Sequence, residues 1–216
     1  MNFNSQTWGI IPVKGFCLGK GRLAQALSPR YRRTLNREML QWVVRTVLAS
    51  SLKSCLITTP DEETALWCQT RGLLVHLDGG KDINASLNDA TAWAKAQGAD
   101  SVLILPADIP LVTVKDIESI LSLGQEPLSL VVASCRRGEG TNALFLRPPG
   151  IIPFAFGPGS FKAHLSLGRE VGVKVHIYQS ETLGLDVDLR EDLELLRNSA
   201  FSNEWRDHEG TDGASR

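Results

Sequence analysis

The sequence predicts an α/β fold: a single-domain, Rossmann-like arrangement with a mostly parallel central sheet and helices on both faces. Three observations carry this. Short apolar runs alternate along the chain with segments of helical periodicity, the βαβα order that builds a doubly wound sheet. Several runs, "SVLIL" and "LSLVVAS" among them, are apolar almost throughout, as strands covered on both faces are. The 216 residues show no internal repeat and no interdomain linker, which suits one core.

In chain order the strands fall at 8–13, 54–59, 73–77, 101–105, 128–134, 142–146 and 173–178. Ser28 and Pro29 can cap and start the first helix, whose apolar stripe is Leu35, Met39, Trp42/Val43 and Thr46/Val47. Asp61, Glu62 and Glu63 suit the positive end of the second, and Gly72 stops it. Ile83, Leu87, Ala90 and Ala94 mark a third that ends near Gly98. Thr113 caps a fourth that runs through Leu123, and Gly124 ends it. A fifth spans about 160–170, and the last follows Asp188. The domain therefore covers 8–198, with 1–7 as a short N-terminal extension. Residues 201–216, polar and rich in small side chains, read as a disordered tail.

Composition narrows the function classes. A net charge of -1 gives no basic field, so no nucleic-acid partner is expected and any anion site must be local. No stretch approaches the roughly 20 apolar residues of a membrane span, and Lys14 interrupts the first apolar run, so neither a membrane partner nor a signal peptide is expected. Cys17, Cys55, Cys68 and Cys135 form no C-x-x-C pair and no zinc spacing. Scattered thiols suit a reducing compartment, and the expected location is cytoplasmic.

In such sheets ligands gather beyond the carboxyl ends of the strands. The first candidate there is "IIPVKGFCLGKGRL", residues 10–23, which resembles a phosphate loop but is one residue short of G-x-x-x-x-G-K-[ST]. Gly21 also stands where the metal-binding hydroxyl would be. Lys14, Lys20 and Arg22 bring three cations around flexible glycines, which suits a polyphosphate and equally a solvated loop. The missing metal ligand can come from elsewhere. Asp108, in "LILPADIPLV", follows a buried strand, where a carboxylate can hold Mg²⁺ or merely start a helix. Asp186 and Asp188, in "LGLDVDLREDL", are two apart in an extended segment and so point the same way, a pattern equally met when Asp188 merely caps the final helix.

Two further groups complete the set. Gly157, Gly159 and Ser160 precede a helix and Thr141 precedes a strand; amides and hydroxyls at a helix start can receive an anion, whereas a glycine turn would look the same. Asn84 and Asn88 lie at i and i+4 on early helical turns, where amides can read a base edge or cap the helix. His164 falls one turn after Ser160 and reads as structural as readily as functional. Arg30, Arg33 and Arg37 form one helical stripe opposite the apolar face, the pattern of a solvated surface.

These motifs, in this order, resemble the 2-phospho-L-lactate guanylyltransferase family, whose members make a guanosine diphospho-linked precursor of coenzyme F-420. The matching pieces are "IPVK" with "GKGRL", "NASLNDA", "LPADIPL", "GTNALFL", "FGPGSF" and "LDVD" before "LREDL", from about residue 10 to 196. The resemblance implies that Lys14, Lys20 and Arg22 hold the triphosphate of GTP and that the Asn84–Asn88 turn lies near the guanine. It implies Mg²⁺ on Asp108, Asp186 and Asp188, and a phosphorylated carboxylic acid against Thr141, Gly157 and Ser160. It also implies a homodimer. Where the family has alanine-lysine-serine-arginine this chain has Gly19-Lys20-Gly21-Arg22, and Arg136 and Arg137 replace an acidic residue before "GTN".

No Ser-His-Asp set is present, and the implied reaction requires no base. The acceptor's own phosphate, with a second pKa of about 6, is largely dianionic at neutral pH and can attack the α-phosphorus. The acceptor stays open among 2-phospho-L-lactate, phosphoenolpyruvate and 3-phosphoglycerate. A nucleotidyltransferase for another phosphorylated acceptor lacks its expected G-G-x-S-x-R-M-G opening here. A non-catalytic GTP-binding module would leave the three aspartates without a task.

Overall fold

A computed structural model of the chain describes residues 6–17, 20–80 and 82–199. Gly19 of the loop motif and the tail expected at 201–216 lie outside the described residues. Every expected strand forms: β1 (Thr7–Pro12), β2 (Ser54–Thr59), β3 (Leu74–Leu77), β4 (Ser101–Ile104), β5 (Ser129–Ser134), β6 (Thr141–Arg147) and β7 (Lys174–Tyr178). They make one 7-stranded sheet in the order β3-β2-β1-β4-β6-β5-β7. All neighbours are parallel except across β6, which runs against both β4 and β5. The chain enters β1 at Thr7, so that residue belongs to the sheet and not to the N-terminal extension.

The helices are α1 (Pro29–Ala49), α2 (Glu62–Gln69), α3 (Ile83–Ala96), α4 (Val114–Leu123), α5 (Ser160–Glu170), α6 (Glu181–Gly184) and α7 (Arg190–Arg197). The sequence pattern predicts neither α6 nor the 3₁₀ turn at Gly21–Leu23, both too short to show a period. The expected caps are present. Ser28 Oγ accepts from the Tyr31 amide, with Pro29 in the first helical position. Asp61 accepts from the Thr64 amide at 2.9 Å. Thr113 and Asp116 close a reciprocal box at the start of α4. Gly124 then ends α4 under the Phe145 ring, where a Cβ would sit 2.3 Å from Cε1.

The last helix starts differently from expectation. Its N-cap position is Leu189, and the buried Asp192 carboxylate accepts from the amides of Leu189 (2.8 Å) and Asp188 (3.0 Å). Asp188 therefore spends no side-chain oxygen on capping.

Apolar side chains fill both faces of the sheet. Ile11, Val43, Ile57, Leu103 and Phe145 pack on one side with α1, α2 and α4; Ile10, Leu87, Ile104, Leu144 and Leu165 pack on the other with α3 and α5. A third cluster, with Leu23, Leu35, Met39, Leu185, Val187 and Leu193, fastens the C-terminal segment to α1.

The topology fixes where a ligand can sit. From β1 the chain steps outward through β2 to β3, and α3 returns it to β4 on the other side of β1. The loops leaving β1 and β4 thus diverge at a switch point and open a crevice. Because β6 runs opposite to its neighbours, its first residue, Thr141, lies on that same rim.

Candidate active site

The loop after β1 is held by both helices beside it. Asn36 Nδ2 of α1 donates to the Phe16 carbonyl at 2.9 Å, and the Phe16 amide donates to Thr64 Oγ1 of α2 at 3.3 Å. The buried Phe16 ring meets Trp67 edge-on, with centroids 5.3 Å apart. Arg33 and Arg37 both pair with Glu63 of α2, and Arg37 also lies over the Phe16 ring, so this part of the basic stripe clasps the loop's support while remaining partly exposed to solvent.

Lys20 is the loop's unusual residue. Its backbone is left-handed, φ 62° and ψ 38°, a conformation that side-chain-bearing residues seldom adopt. Its side chain is only 6% exposed, and Nζ donates to Asp108 Oδ2 at 2.6 Å and Asp188 Oδ1 at 2.8 Å. Burial alone would lower the Lys20 pKa, but the charges and hydrogen bonds of Asp108 and Asp188 outweigh it and raise the pKa above the usual lysine value. Arg22, on the 3₁₀ turn, is 74% exposed and stands 4.0 Å from Asp188.

Asp108 follows β4 and Asp188 lies in the segment between α6 and α7, and one backbone bond brings them together. The Val187 amide donates to the Asp108 carbonyl at 3.0 Å, laying residues 185–188 against the loop after β4. Val187 is buried beneath, so the neighbouring Asp188 faces outward to Lys20.

Asp186 has a different partner. Arg137 Nη2 lies 3.2 Å from Asp186 Oδ2, while its Nη1 bonds both oxygens of Asp192 at 3.0 and 3.3 Å. Burial raises the Asp186 pKa and the Asp108 charge raises it further, with Arg137 pulling the other way. Of the three carboxylates expected to share a cation, Asp108 and Asp188 share Lys20, while Asp186, close enough to feel the charge of both, is turned to Arg137. Among the described residues no group of three His, Cys, Asp or Glu is arranged to hold a metal ion. The pair still fits Mg²⁺. That ion is commonly bound through one or two carboxylates with substrate phosphates and water completing its shell. Asp108 and Asp188 each aim one oxygen at a single cation position, and their side chains are 30% and 36% exposed.

A cavity of about 440 Å³ opens at this point. Lys14, Lys20, Arg22, Asp108 and Asp188 line it, as do Asn36, Met39 and Ile83, which sequence reasoning did not assign to the site. Met39 was legible only as part of an apolar stripe, and nothing in the spacing of Asn36 marks it as a loop support.

Thr141 lies elsewhere on the rim. Its Oγ1 is 3.0 Å from His164 Nδ1, and His164 Nε2 accepts from the Ala155 amide at 3.0 Å. The ring proton therefore sits on Nδ1 and is donated to Thr141. His164 is fully buried, and burial lowers its pKa to about 4, so it is a neutral structural link. Gly159 takes the left-handed N-cap position of α5 at φ 73°. The Ser160 amide donates to the Gly157 carbonyl and the Phe161 amide to Glu139, so this helix start offers fewer free amides to an anion than the sequence suggested.

Asn84 is held within the protein. The Phe156 amide donates to its Oδ1 at 2.7 Å and its Nδ2 donates to the Phe156 carbonyl at 3.1 Å, so the group expected near a base holds the loop before α5. Asn88 is exposed on α3, and neither asparagine lines the cavity.

Comparisons with known proteins agree with this architecture. A family model described as "Guanylyl transferase CofC like" matches residues 7–200. A phosphoenolpyruvate guanylyltransferase of Rubrobacter xylanophilus is 35% identical over 89% of this chain and 94% of its own. A 2-phospho-L-lactate guanylyltransferase of Methanothermobacter thermautotrophicus is 36% identical over 87% of this chain and 82% of its own. A 3-phospho-D-glycerate guanylyltransferase of Colwellia psychrerythraea is 30% identical over 87% and 89%. Among solved structures, a nucleotidyl transferase from Methanothermobacter superposes with a TM-score of 0.65 over 92% of this chain and 99% of that one, at 16% identity, a likeness of fold.

Proposed function

The chain belongs to the CofC-like guanylyl transferase family, and from that premise we propose that it transfers the guanylyl group of GTP to a small phosphorylated carboxylic acid, releasing pyrophosphate, as a step in coenzyme F-420 biosynthesis. The observation that carries this reading is the crevice between β1 and β4, where Lys14, Lys20 and Arg22 face Asp108 and Asp188 across one cavity. Cations from the end of β1, with one carboxylate from the end of β4 and another from the segment before α7, are what a nucleoside triphosphate with its metal requires.

In this reading Lys14 and Arg22, both exposed, receive the β- and γ-phosphates as GTP enters. Lys20 stabilises the charge that grows on the departing pyrophosphate. Asp108 and Asp188 would hold Mg²⁺, and the ion would offset the charge of two anionic reactants. The acceptor lies toward Thr141, Gly157 and Ser160, and its phosphate dianion is the nucleophile. No protein base is needed, and the neutral, buried His164 agrees with that. The catalytic contribution is therefore positional and electrostatic.

The acceptor is phosphoenolpyruvate, 2-phospho-L-lactate or 3-phosphoglycerate, the three acids for which relatives are named. Cytoplasmic location and a homodimer belong to the same proposal. All four cysteines are free, and among the described residues no helix is long and apolar enough to cross a membrane. The test is direct: incubate the protein with GTP, Mg²⁺ and each acid in turn, follow pyrophosphate release and weigh the products. A guanosine diphospho-linked acid with one of the three is expected. GTP hydrolysis alone, or no turnover with any acid, would reject the reading.

A further inference from the structure

We infer that Lys20 is a resident cation that determines how the site takes up metal: its ammonium occupies the position between Asp108 and Asp188 that a divalent ion needs, so the two compete. The inference rests on the reading above and concerns this chain's own residues.

The geometry makes the competition direct. One Nζ takes an oxygen from each carboxylate, at 2.6 and 2.8 Å; the lysine side chain is covered at 6% exposure, while the carboxylates face the cavity. Mg²⁺ binds carboxylate oxygens at about 2.0–2.1 Å. An ion using those two oxygens would sit against Nζ, and neither the space nor the charge allows both. The other cations of the cavity do not fill the position: Arg22 is 74% exposed and no closer than 4.0 Å to Asp188, and Lys14 is exposed.

The backbone supplies a way out. Lys20 is the one non-glycine residue with positive φ among the described residues. Gly21 follows it, and a Cβ there would meet nothing within 4 Å. Rotation at this pair can swing the ammonium from the carboxylates toward the cavity and relieve an unfavourable conformation. Metal entering alone leaves the ammonium without a counter-charge, whereas metal entering with a triphosphate gives it one. Lys20 thereby couples the two ligands, and such coupling is reciprocal. The pair of carboxylates discriminates against free metal in favour of the metal–nucleotide complex.

The test measures Mn²⁺ binding without nucleotide to the full-length protein and to the Lys20→Met and Arg22→Ala variants, by water-proton relaxation. Direct competition predicts affinity at least tenfold tighter in Lys20→Met and less than threefold changed in Arg22→Ala. Equal gains in both variants would mean that through-space charge explains the effect, and the inference would fall. A second readout uses acetic anhydride labelling of Lys20, quantified by mass spectrometry. Saturating Mg²⁺ should raise its labelling rate severalfold; an unchanged rate with metal bound overturns the inference even if Lys20→Met is unstable. Absence of Mn²⁺ binding to every variant, with GTP or without, removes the metal reading and this inference together, while product formation in the acid screen judges the transferase reading separately.

Discussion

Asn84 grips the backbone of Phe156 on both sides, accepting from its amide at 2.7 Å and donating to its carbonyl at 3.1 Å. A side-chain amide thus stands in for a neighbouring strand, tying α3 to the loop that leads into α5. Asn84→Ala should therefore loosen the acceptor wall and leave the guanine untouched. Steady-state kinetics should show KM rising about tenfold for the acid and less than threefold for GTP, with about 1–2 kcal/mol lost from folding stability in urea. A larger effect on GTP, with relaxed base preference, would restore the base-reading role that the sequence suggested.

The aspartates should differ in consequence. Asp108→Asn and Asp188→Asn each remove a carboxylate from the shared cation position and should lower kcat by at least about 100-fold, the scale for losing one electrostatic contact to the reacting phosphates. Asp186→Asn, whose partner is Arg137, should stay within about tenfold of the parent. Pyrophosphate release at saturating substrates checks this. Equal losses at all three positions would mean that Asp186 turns to the metal during the reaction.

Asp192 is a buried carboxylate whose pKa lies below the usual value: burial opposes this, but the Leu189 and Asp188 amides and Arg137 outweigh it. Asp192→Ala should cost about 3 kcal/mol, since it leaves two amides and one arm of Arg137 without their acceptor. It should also impair turnover, because the Asp188 amide loses its anchor. Denaturant titration and kinetics on one preparation would separate the effects. Intact activity with lost stability would show that Asp188 is positioned by Val187 alone.

His164 gives a pH signature. Its folded pKa, about 4, lies below the ordinary 6.5, so the unfolded chain binds the extra proton first. Its contribution is complete above about pH 6.5 and is lost as pH falls toward 4, by up to about 3 kcal/mol. Urea midpoints between pH 7 and 5 should fall in the parent and flatten in His164→Asn. Parallel slopes in both would assign the loss to other groups.

At Gly124 an added methyl has nowhere to go, with the Phe145 ring 2.3 Å away. Gly124→Ala should cost about 1–3 kcal/mol through overpacking, read as a lower Tm with unchanged KM values. Shifted KM values would show that the strain reaches the rim through β6.

The fold was legible because its signals are local. Apolar runs marked every strand, and Ser28, Asp61 and Thr113 announced helix starts that the structure repeats. The loop cations and Asp108 were legible because the ends of β1 and β4 flank the crevice in any sheet of this topology. What stayed hidden was decided by pairings distant in sequence. Arg137 reaches Asp186 across 49 residues and Asn84 reaches Phe156 across 72, and no period or spacing encodes either contact. The helix start after Asp188 misled for a related reason: a carboxylate four residues later supplies the cap from inside the helix.

The reversed strand carries a last consequence. β6 joins the part of the sheet that holds the loop cations to the part beyond it through three residue pairs with β4, Val102↔Leu146, Leu103↔Phe145 and Ile104↔Leu144. Thr141, Gly157 and Ser160 all hang from the far side of that seam, while Lys20 and Asp108 hang from the near side. The molecule is in effect a chassis with an exchangeable faceplate: a graft of residues 135–178 from a relative of different acid preference should carry the donor's taste with it and leave the appetite for GTP as it was.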